Sequence, residues 1–255
     1  MNIKMISSVE RFSDRVANYV KYRPSYPRAV VNLCRDEMGL TADSVVADIG
    51  SGTGIFAKLF LENGSTVYGV EPNDAMRAAS EEFLADFADF HAVEGTAEDT
   101  GLSEDLADLA TAAQAFHWFD QERASREFER ILKPGGWAAL VWNERQLETN
   151  AFLVDYEQFL KRFALDYEQV RHEHIDRETL KGFFQKGFRT RVFPNSQVLD
   201  VDGLLGRVLS SSYMPNADSE VFPEMREELK ALVAKHAENG KIELLYDTAV
   251  HYSQF

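Results

Sequence analysis

Cysteine occurs once in the 255 residues, at Cys34, so neither a disulfide framework nor chemistry needing two thiols in one chain is available. Positive charge is scarce: Lys and Arg total 27 against 42 Asp and Glu, a formal net charge of −15. A surface this acidic repels phosphate backbones and anionic lipid, so neither nucleic acid nor a membrane is expected as a partner. Long apolar runs are also missing. Trp137–Trp142 is among the longest, far short of the roughly 20 apolar residues that cross a bilayer as a helix. Lys4, Glu10, Arg11, Asp14 and Arg15 break up any leader-like apolar core at the start of the chain, and a cytoplasmic location is expected. No Ser/Gly-rich linker, repeat or low-complexity tract divides the chain, which argues for one domain over two. What is abundant is core material, at 45% hydrophobic and 12% aromatic residues.

That material is laid out as strand alternating with helix. Ser44–Ile49, Thr66–Val70, Phe90–Val93, Asp108–Ala113 and Trp137–Trp142 read as buried strands. Between them Thr53–Asn63, Ala75–Phe87 and Gln121–Leu132 have helical spacing, the last stopped by Pro134-Gly135-Gly136. Such alternation builds βαβ units, hence an α/β fold with a mostly parallel, doubly wound sheet and helices on both faces. Farther on, Ala151–Phe163, Arg177–Lys186 and Pro223–His236 read as helices, and Gly187–Leu199 and Glu243–His251 as strands.

Chemistry concentrates where the first strand gives way to its helix, at Val46-Ala47-Asp48-Ile49-Gly50-Ser51-Gly52-Thr53-Gly54. Glycines there open backbone conformations closed to other residues and let a ligand approach the main chain. Asp48 stands where an apolar residue is the structural default, and Glu71 ends the second strand, from which an acid reaches ribose hydroxyls. A dinucleotide needs Gly-x-Gly-x-x-Gly for its pyrophosphate, whereas Gly50, Gly52 and Gly54 are spaced differently and Asp48 would crowd a phosphate. An acid suits an ammonium group, as in the methionine portion of S-adenosyl-L-methionine, and this reading is favoured over a nicotinamide-dependent oxidoreductase.

The run VADIGSGTG (46–54) resembles the first motif of the class I S-adenosylmethionine-dependent methyltransferases, and VYGVEPN (67–73) their second. GTAEDTGL (95–102) is similar to their adenine-contacting segment, and LKPGGWAALVW (132–142) to their turn into the fifth strand. Arg11–Pro27, Ala112–Asp120 and Val208–Pro215 look like a branch that includes trans-aconitate methyltransferase-like proteins. The resemblance implies a Rossmann-like sheet of seven strands, the last antiparallel, a cap over residues 1–25, a cofactor-binding core at 26–143, a helical insertion serving as substrate lid at 144–186, and completing strands and helices at 187–255. It implies that Gly50, Ser51 and Gly52 face the methionine portion, that Asp48 and Gln114 position it, and that Glu71 holds the ribose. Pro72 and Met76 would pack on the adenine. Thr96 stands where the family often has an acid, so recognition of the adenine amino group falls within Thr96–Ala97–Glu98, to Glu98 or a backbone carbonyl.

Phe12, Val16, Tyr19 and Val20 form an amphipathic face ahead of Tyr22 and Arg23, read either as a helix packed on the sheet or as a cap whose Tyr22 or Arg23 binds the cofactor's carboxylate. Phe116-His117-Trp118-Phe119 follows the fourth strand; an aromatic face there attracts a sulfonium, Trp118 is a substrate-wall candidate, and His117 is a candidate base. Arg145, Arg207 and Tyr213 are candidates for binding an anionic small-molecule methyl acceptor. A carboxylate acceptor needs no base; an aromatic or lipophilic acceptor and a catalytically silent cofactor-binding protein are the alternatives. His172 and His174 lack a third ligand, so no metal is expected.

Overall fold

The computed structural model describes residues 15–165 and 176–255. Seven strands form one sheet: β1 (Val45–Ile49), β2 (Thr66–Val70), β3 (Phe90–Val93), β4 (Ala107–Ala113), β5 (Leu132–Arg145), β6 (Arg189–Leu199) and β7 (Ile242–Gln254). Their order is β3-β2-β1-β4-β5-β7-β6. β7 runs antiparallel to both neighbours, and the β1–β5 pairings are parallel. The seven-stranded, mostly parallel sheet expected from the sequence is the one observed.

Consecutive strand residues point to opposite faces, and both faces are covered. Val46, Val67, Leu109 and Val141 pack against α2 (Ala29–Met38) and α3 (Ala57–Leu61) through Val30 and Phe60. Ala47, Ile49, Ala110 and Leu140 pack against α5 (Gln121–Ile131) and α7 (Arg177–Phe184) through Phe128 and Phe183. Two-sided burial is why these strands read as apolar runs rather than alternations. α4 (Asp74–Phe83) starts at Asn73, whose side chain accepts from the Met76 amide at 3.0 Å, and α5 starts at Asp120, which accepts from the Arg123 amide at 3.2 Å.

A third cluster lies beyond the sheet. α6 (Ala151–Phe163), α8 (Val201–Leu209) and α9 (Phe222–His236) bury Phe152, Tyr156, Leu204 and Leu229 against Leu244 and Tyr246 of β7. α8 and α9 sit in the connection between β6 and β7. α1 (Val16–Tyr22) packs against α8 and α4. Arg15 fastens it, donating to the carbonyl oxygens of Leu209, Ser211 and Met214 at 3.0, 2.6 and 2.8 Å.

Several expectations are corrected. The helix read over Thr53–Asn63 is confined to Ala57–Leu61, because the glycine turn runs on past Gly54 at φ +80. β5 extends through Pro134-Gly135-Gly136 to Arg145 instead of covering Trp137–Trp142 alone, since β7 pairs it from Trp137 to Arg145. α8 was not expected: Gly203 and Gly206 weaken the helical pattern, whereas Asp200 caps it (Gly203 amide, 2.8 Å) and packing supplies the rest. The helices expected after β5 are present, α6 joining the third cluster and α7 the sheet face. Phe12, His172 and His174 lie outside the described residues.

Candidate active site

At the carboxyl ends of β1, β2 and β4 lies a cavity of about 280 Å³. Its floor is the glycine turn. Gly50 has φ +68, and a Cβ there would come within 2.6 Å of the Ala115 side chain, so only glycine fits. The amides of Gly50 and Ser51 donate to the Val70 carbonyl at 2.8 and 3.1 Å, which holds the turn against β2.

Asp48 is 1% exposed. Parallel register places Thr111 of β4 opposite it, and the Thr111 hydroxyl donates to Asp48 Oδ1 at 2.8 Å. Asp48 Oδ2 is buried without a hydrogen-bond partner. Burial pushes its carboxyl up to about 7, against the pull of Thr111, and the nearby Glu71 adds to the rise. Glu71 accepts from the Gly52 and Asn73 amides, each at 2.9 Å. Burial raises its pKa too, although those two amides favour the anion.

Gln114 follows β4 with φ +56, a conformation side chains seldom adopt and one that collects at functional sites. Its Nε2 donates to the Asn143 carbonyl at 3.0 Å, which leaves Oε1 buried and unpartnered. Ser51 Oγ and Thr53 Oγ1 are likewise unpartnered. Buried polar atoms are normally satisfied, so this grouping around one cavity marks a place built for a ligand. Pro72, Met76, Thr96, Ala97 and Glu98 form another wall.

Two guanidiniums face the same space. Arg23 donates from Nη2 to the Ser210 carbonyl at 2.9 Å and lies over the Tyr19 ring. Burial and the neighbouring Arg207 lower its pKa. Arg207, from α8, donates from Nη1 to Ser211 Oγ at 2.9 Å. Trp118, 40% exposed, completes the rim.

The structure thus brings Arg23, Asp48, Gly50, Ser51, Gly52, Glu71, Pro72, Met76, Thr96, Ala97, Glu98, Gln114, Trp118 and Arg207 to one cavity. Four candidates do not line it. The Tyr22 ring is packed where a Cβ on Gly206 would stand, 2.2 Å away. His117 lies in the 3₁₀ turn Phe116–Trp118. The core takes Phe116, T-shaped to Phe183 at 4.9 Å, and at three residues per turn His117 projects from a different side. Arg145 pairs with Glu157 at 2.5 Å, under the ring of Tyr156. Tyr213 is half-buried and packs against the third cluster. Conversely, Tyr19, Tyr26, Thr53, Phe56, Asn143 and Tyr246 line the cavity, although the sequence did not mark them as ligand contacts. The cluster of two tyrosines and two prolines in Tyr22-Arg23-Pro24-Ser25-Tyr26-Pro27 was the one local signal for Tyr26; Tyr246 had none.

Residues 47–140 match the model of a methyltransferase domain. An uncharacterized methyltransferase of Mycobacterium tuberculosis is 32% identical over 229 residues, covering 88% of this chain and 86% of that protein. The chain belongs to the class I S-adenosylmethionine-dependent methyltransferases. A methyltransferase-like protein of Schizosaccharomyces pombe is 26% identical over 253 residues, 96% of each chain. Among solved structures, a candidate type II methyltransferase from Anaeromyxobacter dehalogenans superposes with a TM-score of 0.67 at 24% identity, covering 91% of this chain and 98% of that one. The methyltransferase uses S-adenosylmethionine as its cofactor. Among the described residues, no helix is long and apolar enough to cross a membrane, and no group of three or more His, Cys, Asp or Glu is arranged to hold a metal.

Proposed function

We propose that this methyltransferase O-methylates a small-molecule carboxylate, within the branch that includes trans-aconitate methyltransferase-like proteins. The observation that carries the reading is the pairing, in one cavity, of buried acids (Asp48, Glu71) with guanidiniums (Arg23, Arg207) that bear unpartnered Nε atoms. The donor set fits the cofactor. Asp48 Oδ2 suits the ammonium, Arg23 the carboxylate and Gln114 Oε1 a further N–H of the methionine portion. The backbone of Gly50, Ser51 and Gly52 lies along that portion. Glu71 has lone pairs left for ribose hydroxyls after taking two amides. Pro72 and Met76 offer an apolar face to the adenine, with Thr96, Ala97 and Glu98 at its edge.

When bound, the cofactor supplies a methyl group on a positively charged sulfur, displaced in line by an acceptor lone pair with sulfur leaving as a neutral thioether. The chain's own work is then to align donor and acceptor and keep water out; positioning alone reaches effective molarities of roughly 10⁵–10⁸ M. His117 stands outside the cavity, and its described wall contains no Lys, Cys or His. An acceptor already ionised at neutral pH meets that wall best, which favours a carboxylate over a phenol or amine. All of 1–255 acts as one unit in this reading, with the described part of 1–25 and 187–255 packed around the core 26–143. The described part of 144–186 lends Tyr156 to the third cluster.

Trp118, Phe119, Phe56 and Tyr26 on the wall support a second reading, an aromatic or lipophilic acceptor. Two measurements decide. Calorimetric titration should show binding of S-adenosylmethionine and none of NAD. Transfer of labelled methyl, screened over carboxylates, phenols and amines, should label carboxylates; labelled phenols alone would move the assignment to the second reading.

A further inference from the structure

Arg207 is only 9% exposed. It lines the cavity beside Tyr246, and among the described residues it forms no ion pair within 4 Å. Its Nη1 is taken by Ser211, whereas its Nε is buried without a partner. A buried guanidinium lacking an anion is a costly arrangement, made worse here by a second one, because Arg23 lies close enough for the two charges to repel. The cofactor brings a single carboxylate, which satisfies one of the two.

The remaining charges in the cavity set a condition on the second anion. Three carboxylates, Asp48, Glu71 and Glu98, line it against these two guanidiniums, leaving one negative charge in excess when all are ionised. Above about pH 7, where Asp48 is ionised, an anion approaching the empty cavity is therefore opposed by the acids. The cofactor carries a sulfonium, an ammonium and a carboxylate, one net positive charge that cancels the excess. Methyl transfer leaves a neutral thioether, and the excess returns.

We propose that Arg207, beside Tyr246 on the cavity wall, is the subsite for the acceptor's carboxylate, and that its hold on that anion is switched by the charge at the cofactor's sulfur position. This rests on the cofactor assignment above and adds an order to it: the acceptor binds after the cofactor. Unreacted anion is released once the sulfur is neutral. With Nη1 engaged by Ser211, the unpartnered Nε–H is a donor left for a carboxylate oxygen.

The test uses succinate as the anion and its neutral diamide as control, titrated into the full chain and read by calorimetry and by Trp118 fluorescence. One sample is loaded with sinefungin, which bears an ammonium in place of the sulfonium; the other holds S-adenosylhomocysteine. Succinate should bind the sinefungin complex about tenfold tighter or more, from one unit charge acting through a poorly screened cavity. Arg207→Met should abolish that binding while sinefungin still binds, and no more weakly than to wild type, because the removed charge repelled a cationic ligand. Should Arg207→Met not fold, Tyr246→Phe replaces it, with a loss of about threefold or more expected from removing a hydrogen-bonding hydroxyl. Equal succinate affinity in the two complexes overturns the switch. Equal affinity in wild type and variant, equal binding of the diamide, or no succinate binding overturns the subsite. Failure of sinefungin itself to bind overturns the cofactor assignment too, and so separates the two claims.

Discussion

At Asp48, burial and ligand binding pull in opposite directions: the protein surroundings favour the neutral acid, and a cationic ligand favours the anion. Its carboxyl is pushed to about 7 by burial. Cofactor affinity should therefore rise between about pH 6 and pH 8 as Asp48 ionises, and calorimetry across that window checks it. A flat profile would remove Asp48 from the ammonium site. Stability runs the other way. A folded-state pKa above the ordinary 3.8 means the folded chain keeps this proton longer than the unfolded one, so the group's contribution is most favourable below about pH 4 and declines as pH rises to about 7. Asp48→Asn keeps a partner for Thr111 and removes the buried charge. It should raise the melting temperature at pH 8 by a few degrees while weakening the cofactor by about 1–3 kcal/mol. Gln114→Gly should follow the same pattern for a different reason. Glycine relieves the φ of +56, so thermal stability should hold or rise as affinity falls, whereas a purely structural residue would lose stability.

Among the elements, the contact of α1 with α8 decides whether the cavity has a roof. Gly206 lets the Tyr22 ring lie directly on the helix, so close that a methyl added at Gly206 would meet the ring at 2.2 Å. Gly206→Ala should cost about 1–3 kcal/mol by overpacking and weaken the cofactor as well, because Arg23 is carried on the displaced segment; chemical denaturation and calorimetry read the two effects. Asp200→Ala, which removes the α8 cap, should cost about 1 kcal/mol. Helices with a start signal ahead of an apolar stripe were legible in the sequence nearly to the residue, α6 by its Asn150 cap and α9 by the proline in its first turn. α8 was hidden because its two glycines serve a neighbour's ring rather than its own propensity. The length of β5 was hidden because only its partner β7, more than a hundred residues later, extends it past Trp142.

For the molecule as a whole, a net charge of −15 opposes any anionic acceptor at long range. Raising salt from about 10 mM to about 150 mM shortens the screening length, so the association rate of a carboxylate acceptor should increase, measured by stopped-flow fluorescence. A decrease would mean that a local basic field dominates the approach.

Period, turn chemistry and motif spacing act over a few residues, so a chain read by itself already determines the parallel α/β sheet, the glycine turn flanked by Asp48 and Glu71, and the family they belong to. The tertiary structure alone decided which distant groups meet. Tyr246 reached the cavity wall through pairing of the last strand, Arg207 through its helix's place in the third cluster, and His117 was turned aside because the core took Phe116. Such outcomes depend on packing between segments far apart along the chain, and no local pattern encodes them.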